Sequence, residues 1–338
     1  MLGFVSNLFR GAAVGLANII PGVSGGTMLL LLGVYERVIS GLKNLGPQTI
    51  KNVLRGKIVE EWKRLDASLI AALVVGAAGA AFAASKLLLY LLNHRAEPTY
   101  GLFFGLVLAS VVVPYKMIKK RGLAALLACL IGIAGVIGLT EAMSGERRLA
   151  NERKKAEVAM IKAKAKAAGE RAKLGDVSLG GKQFMLFFLA GVVAVVAMIL
   201  PGISGSFMLL LMGVYFEVLA ALSALNLPLL GSLGLGCIVG LLIATRALSY
   251  LLKNFHDATM AFLMGLVVGS LWAIWPYKSF EMVAFPTGPK RVDLANIIPA
   301  SWGSEQLLTI GTVALGIAIV AGFLLIEAKL KKADGAAA

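Results

Sequence analysis

Residues Ala17 to Val38 read ANIIPGVSGGTMLLLLGVYERV, and 180 positions later Ala197 to Val218 read AMILPGISGSFMLLLMGVYFEV. Proline, glycine, serine, glycine, a Met-Leu-Leu-Leu run and Gly-Val-Tyr recur in the same places. Each copy is an apolar segment interrupted in its middle by Pro-Gly-x-Ser-Gly. Inside a bilayer an unpaired backbone amide costs several kcal/mol, so non-helical backbone survives there only where protein or a polar cavity covers it. Pro and Gly also kink ordinary spans, but two interrupted segments in matching places of two halves point to a transporter's binding site.

The rest of the chain agrees with a membrane setting. It has 338 residues, 59% of them apolar, with a mean hydropathy of +0.85, which excludes a soluble globular protein. Several apolar runs reach the roughly 20 residues that cross a hydrocarbon core of about 30 Å. The formal charge of +15 would suggest nucleic acid in a soluble chain. Here most Lys and Arg lie in the joints between spans, where orientation bias and anionic lipid account for them, so no nucleic-acid partner is expected. Cys129 and Cys237 both lie within apolar runs and support neither a disulfide framework nor a metal site. The N-terminus enters the first interrupted segment without a small-residue cleavage site, so no removable signal peptide is expected.

Taken in order, the first interrupted stretch runs from about Gly11 to Leu42, and its halves are each too short to cross alone. A polar joint, Lys43 to Asp66, follows and reads as cytoplasmic. Spans are expected at Ser68 to Asn93, Thr99 to Pro114 and Gly122 to Thr140. A hydrophilic insert from Ser144 to Lys182, rich in Ala, Lys, Arg and Glu, reads as a basic helix joining two halves. The second half repeats the plan, with the interrupted segment Phe184 to Leu225 and spans at Leu229 to Leu252, Ala258 to Pro276 and Leu307 to Ile326.

The duplication extends beyond the interrupted segments. Gly105-Leu-Val-Leu-Ala-Ser110 answers Gly265-Leu-Val-Val-Gly-Ser270, Pro114-Tyr115-Lys116 answers Pro276-Tyr277-Lys278, and Tyr90-Leu-Leu answers Tyr250-Leu-Leu, which sets Lys86 opposite Arg246. The expected fold is therefore an all-α polytopic membrane protein of two repeats, residues 1–143 and 184–338, joined by the basic helical linker 144–183. Each repeat is a broken re-entrant helical hairpin plus three transmembrane helices. If each broken segment returns to its own side, each unit crosses an odd number of times and the repeats are inverted. That places the Lys43 to Asp66 joint, the Lys116 to Arg121 joint and the Lys329, Lys331, Lys332 tail on the cytoplasmic side, and the long basic insert outside, against the positive-inside rule, which is read mainly from short loops.

A half-helix starting after Pro-Gly-x-Ser-Gly points free N–H groups and the positive end of its dipole into the gap, which favours an anion. Ser24 and Thr27 in one copy, and Ser204 and Ser206 in the other, add hydroxyl donors without charge. Two inverted copies meeting near the midplane would enclose one phosphate or carboxylate; a sodium or proton site built from the broken carbonyls is the rival. Lys86 and Arg246 lie about two turns inside the ends of their spans and either snorkel or stand near each mouth of an anion path. Glu36 and Glu217, which follow each Gly-Val-Tyr, are candidates for coupling to a proton or sodium ion, or are end-caps. His94 and His256 lack metal-ligand spacing, and no catalytic pattern occurs in a supporting context, so neither a metal nor an enzymatic activity is expected.

PGVSGG at 21 to 26, GVYERV at 33 to 38 and PGISGS at 201 to 206 resemble the PopT polyprenyl-phosphate transporter family, earlier catalogued as a domain of unknown function. The resemblance covers nearly both halves. It implies a multi-pass plasma-membrane flippase, without a cofactor, that returns undecaprenyl phosphate from the outer to the cytoplasmic leaflet for envelope polymer synthesis. By that resemblance Pro21, Gly22, Ser24, Gly25, Gly26 and Thr27, with Pro201, Gly202, Ser204, Gly205 and Ser206, would line the phosphate site. Ser206-Phe207 in place of Gly26-Thr27 departs from that pattern, as does the basic insert. An ion-coupled transporter or channel for a small anion is the alternative.

Overall fold

A computed structural model describes residues 2–19, 24–169 and 180–336. Pro21 and Gly22 lie outside the described residues. The first half comprises α1 (Leu2–Ile19), α2 (Gly25–Leu31), α3 (Tyr35–Lys43), α4 (Pro47–Leu54), α5 (Ile58–Arg64), α6 (Ala67–His94), α7 (Ala96–Ser110), α8 (Val112–Met117) and α9 (Leu123–Ala142). The insert forms α10 (Gly145–Ala167). The second half comprises α11 (Gly181–Ile199), α12 (Gly205–Leu211), α13 (Tyr215–Ser223), α14 (Leu227–Asn254), α15 (His256–Ala273), strands β1 (Lys278–Val283) and β2 (Lys290–Asn296), and α16 (Ser304–Ala336). Among the described residues seven helices are long and apolar enough to cross a membrane. The chain is a multi-pass, largely helical membrane protein.

The recurring Gly-Val-Tyr makes a second break in each interrupted segment. Gly33 and Gly213 sit at φ +66° and +76°, left-handed backbone that favours glycine. The N–H groups of Val34 and Val214 reach back to the Leu29 and Leu209 carbonyls at 3.1 Å, and those of Gly33 and Gly213 to Leu30 and Leu210 at 3.0 Å. This double closure stops α2 and α12 after two turns. The chain then swings through 108° from α12 into α13.

Packing follows small residues. Within the halves α1 lies along α6 and α11 along α14; across them α7 lies along α16 and α9 along α15. A Cβ on Gly105 would stand 2.1 Å from the Val313 carbonyl oxygen, and one on its repeat counterpart Gly265 would stand 2.1 Å from that of Cys129. Backbones that close leave no room for a methyl group, which is how helices associate where lipid is as apolar as they are.

Two joints carry structure of their own. The Lys43 to Asp66 joint folds as α4 and α5, with Pro47 at the start of α4 where its missing N–H is harmless. Ile50, Val53, Leu54, Ile58, Val59 and Trp62 are exposed there beside lysines and arginines, the pattern of helices lying in a membrane interface. Glu61 is buried beneath the Arg64 guanidinium, which with Asn52 holds its carboxyl below the usual range. The joint before α16 is an antiparallel hairpin pairing Lys278 with Asn296 and Val283 with Lys290. It forms because α10 covers it: Ala156 is buried with Val283 and Val292, beside Leu149, Phe285 and Leu294. Arg153 pairs with Glu281 at 2.6 Å, and Glu152 takes both Lys155 and Lys290. Among the described residues of the insert, α10 is thus pinned across the hairpin of the second half.

Contacts at the helix termini sort the elements into two ends. At one, the Arg291 amide donates to Asn93 at the finish of α6, and Arg95 faces Glu305 at the starts of α7 and α16. At the other, Arg246 of α14 donates to the Leu45 carbonyl after α3, and Asp257 at the start of α15 accepts from the Lys119 and Lys120 amides.

Candidate functional site

The two interrupted segments touch. Ser24 caps α2 by accepting from the Gly26 amide at 3.2 Å, and its Oγ donates to the Leu200 carbonyl just before the second break, at 3.4 Å. Thr27, 2% exposed, accepts from the Gly202 amide at 3.1 Å. Tyr35 donates its hydroxyl to the Ile199 carbonyl at 3.1 Å. A Cβ on Gly26 would stand 3.1 Å from Pro201 and from the Ile199 oxygen, so any larger residue would push the two breaks apart by a few tenths of an ångström. Breaking α11 at Leu200 frees the carbonyls of that last turn, and the first copy supplies donors to two of them.

The copies differ in what their own polar groups do. In the first, Asn18 Oδ1 accepts from the Gly25 amide at 2.8 Å, and Ser24, Gly25, Gly26 and Thr27 are all buried. In the second, Met198 stands where the first has Asn18, no side chain caps α12, and Ser204 and Ser206 bond each other at 3.1 Å. Ser206 is exposed and Ser204 half-buried. Gly202 is held at φ +81°, with a Cβ there directed at the Leu266 oxygen 2.7 Å away. Gly25 and Gly205 serve their own hairpins: a Cβ would strike Asn18 at 2.9 Å in one and the Ala194 oxygen at 2.7 Å in the other.

Among the described residues no charged candidate bonds the break. Arg246 is exposed and donates to the Leu45 and Leu242 carbonyls. Lys86 is exposed on α6 with no hydrogen bond or ion pair among the described residues. Glu36 faces His256 Nε2 at 3.5 Å, and Glu217 accepts from Gln183. His256, which carries no signal in the sequence beyond its place in a joint, lies between Glu36 and Asp257. Asn18 and Tyr35 are likewise missed by motif reading. The signal for Asn18 was present, as a polar residue in an apolar arm that the other copy replaces with Met198.

The hairpin adds a buried cation. Lys278 is 4% exposed, and its Nζ donates to the Ala273 carbonyl and to Asn296 Oδ1, each at 2.9 Å. Burial pushes its pKa down to about 8, against the pull of Asp293. Its counterpart Lys116 is exposed.

Comparison with known proteins places this arrangement. A polyprenyl-phosphate transporter of Vibrio cholerae serotype O1 is 29% identical over 329 residues, 95% of this chain and 96% of that protein. A polyprenyl-phosphate transporter of Staphylococcus aureus is 31% identical over 281 residues, 80% of this chain and 86% of that one. Both are named as transporters, not enzymes. No solved structure matches. A family model described as undecaprenyl phosphate translocase-like matches residues 14–289, and the chain belongs to that family.

Proposed function

We propose that this protein carries polyprenyl phosphate across the plasma membrane, from the outer to the cytoplasmic leaflet, and so returns a carrier lipid to envelope polymer synthesis. The observation that carries the proposal is the meeting of the two interrupted segments, in a family whose relatives are named for that lipid. A polyprenyl tail is already solvated by the bilayer, so only the headgroup needs shelter. Amides and hydroxyls at the break offer donors to a phosphate without burying a second charge. In this reading the second copy, with Ser204, Ser206 and uncapped α12, takes the larger share of the headgroup, while the first copy braces it. Lys86 and Arg246 draw the anion toward each mouth. Glu36 and Glu217, partnered at the two ends, act as ends of the half-helices.

The reading treats the halves as inverted and residues 144–183 as the connection between them. Its support is the sorting of termini: α6 finishes beside the hairpin, whereas α14 finishes beside α3. The end with α3, α4 and α5 carries the short basic joints and is assigned to the cytoplasm.

The test is a leaflet-resolved assay with purified protein in vesicles, using fluorescent polyprenyl phosphate and the matching alcohol. Protein-dependent movement of the phosphate alone is expected. Equal movement of both lipids, or transport of inorganic phosphate instead, overturns the proposal.

A further inference from the structure

The halves correspond in sequence but not in the contacts they make. At the end bearing α3, that helix packs along α14 of the other half, and Arg246 Nη2 donates to the Leu45 carbonyl at 3.1 Å. There Tyr35, 2% exposed, also holds the Ile199 carbonyl. Each partner has a repeat counterpart: Lys86 for Arg246, Leu225 for Leu45, Tyr215 for Tyr35 and Ile19 for Ile199.

The counterpart contacts are not made among the described residues. Lys86 is exposed and unpaired, and α13 packs on α12 and α14 rather than along α6. The Tyr215 hydroxyl makes no hydrogen bond; its ring is half-buried, with Lys155 5.3 Å from the centroid. The same asymmetry reaches the centre, where α2 packs on α7, α8 and α11 besides its own α1 and α3, while α12 packs chiefly on its own α11 and α13.

We infer that these bonds are one setting of a two-position gate, closed at the α3 end and open at the α13 end. In the other setting α13 closes on α6, Lys86 donates to the Leu225 carbonyl and Tyr215 to that of Ile19, as Arg246 and Tyr35 release theirs. One charge-assisted and one neutral hydrogen bond are exchanged for another pair of the same kinds, which keeps the two settings close in free energy. Leu225 sits in left-handed backbone at φ +50°, unusual for a leucine, so the turn that delivers its carbonyl is strained in the present setting. Lys86 and Arg246 thereby gain a role distinct from attracting the headgroup: each latches one end in turn. The inference rests on the transport proposal, and its test separates the two.

Spin labels at Ser40→Cys on α3 with Lys253→Cys on α14 report one end; labels at Leu222→Cys on α13 with Tyr90→Cys on α6 report the other. Both pairs are placed in a Cys129→Ala, Cys237→Ala background and measured by pulsed electron resonance in vesicles. Arg246→Ala is expected to lengthen the first distance and shorten the second by about 5 Å, one helical turn. Arg246→Lys should restore the original distribution, and Lys86→Ala should remove whatever short-distance population the second pair shows. Lys86 is exposed and unpaired, so its variant tests the gate even if Arg246→Ala fails to fold. Fixed distances in all variants, or both pairs moving in the same direction, overturn the gate. Adding polyprenyl phosphate against its alcohol reads the substrate separately. Distances that exchange in Arg246→Ala but ignore the lipid uphold the gate and sink the substrate. Phosphate-specific flipping with rigid distances does the reverse.

Discussion

The two copies of Pro-Gly-x-Ser-Gly began as the same stretch and now do opposite things. The first has turned its polar groups onto protein: Asn18 and Ser24 hold its amides, and Thr27 and Ser24 bond the backbone of the other break. The second leaves Ser204 and Ser206 to each other and to the outside. Three replacements account for much of this: Asn18 by Met198, Gly26 by Ser206 and Thr27 by Phe207. Duplication supplies a frame with two equivalent places; a few side chains then decide which copy bonds the other break and which keeps its hydroxyls to itself.

That division can be broken most severely at the contact itself. Gly202→Val combines a disallowed φ with a Cβ 2.7 Å from the Leu266 oxygen. A loss of more than about 4 kcal/mol is expected, seen as aggregated protein on gel filtration. Normal expression and monodispersity would mean the loops are looser than described. Next, Thr27→Val removes the buried acceptor of the part-buried Gly202 amide and should cost about 1 kcal/mol, read as a lowered unfolding midpoint. Ser206→Ala, at the repeat counterpart of Gly26, should leave that midpoint in place.

Ligand binding sharpens the comparison from the other side. Ser204→Ala is expected to weaken polyprenyl phosphate relative to its alcohol by roughly tenfold, the lower range for a lost hydrogen bond to a charged group. Ser24→Ala should act more on stability than on that ratio, since its hydroxyl already serves Gly26 and Leu200. Equal effects of the two substitutions on the ratio would erase the distinction between copies.

The smallest expected effect concerns Lys278 and Lys116. With its folded pKa depressed to about 8, Lys278 binds fewer protons folded than unfolded between pH 8 and the ordinary lysine range near 10.4. Its contribution to stability therefore rises with pH across that window and is flat below it. The unfolding midpoint should gain a pH-dependent increment there that Lys278→Met abolishes and Lys116→Met retains. Identical profiles for the two variants would show that the hairpin does not seal Lys278.

The spans and the duplicated break were legible in the sequence because both are local. Apolar runs of membrane length declare themselves, and Pro-Gly interrupts a helix wherever it falls. The hairpin was not legible: Lys278 to Val283 is short, and its cover, Ala156, comes from a segment whose lysines mark it as solvated. The burial of Glu61 was not legible either, since it depends on Arg64 and Asn52 folding over it. At the centre, the residue types at the break were readable from the motif, but the bond from Tyr35 to the Ile199 carbonyl joins residues far apart in sequence, and no local pattern announces it.

The exchange of helices between halves has a consequence for how the chain is made. α7 and α9 enter the membrane with the first half, yet their neighbours α16 and α15 are synthesised last. The Gly105 face of α7 and the Gly132 face of α9, where a Cβ would stand 2.5 Å from the Phe262 oxygen of α15, therefore lack those neighbours until the second half is made. The final helix closes the bundle, so a chain that stops before α16 leaves α7 without its neighbour and presents a ready target to membrane proteases.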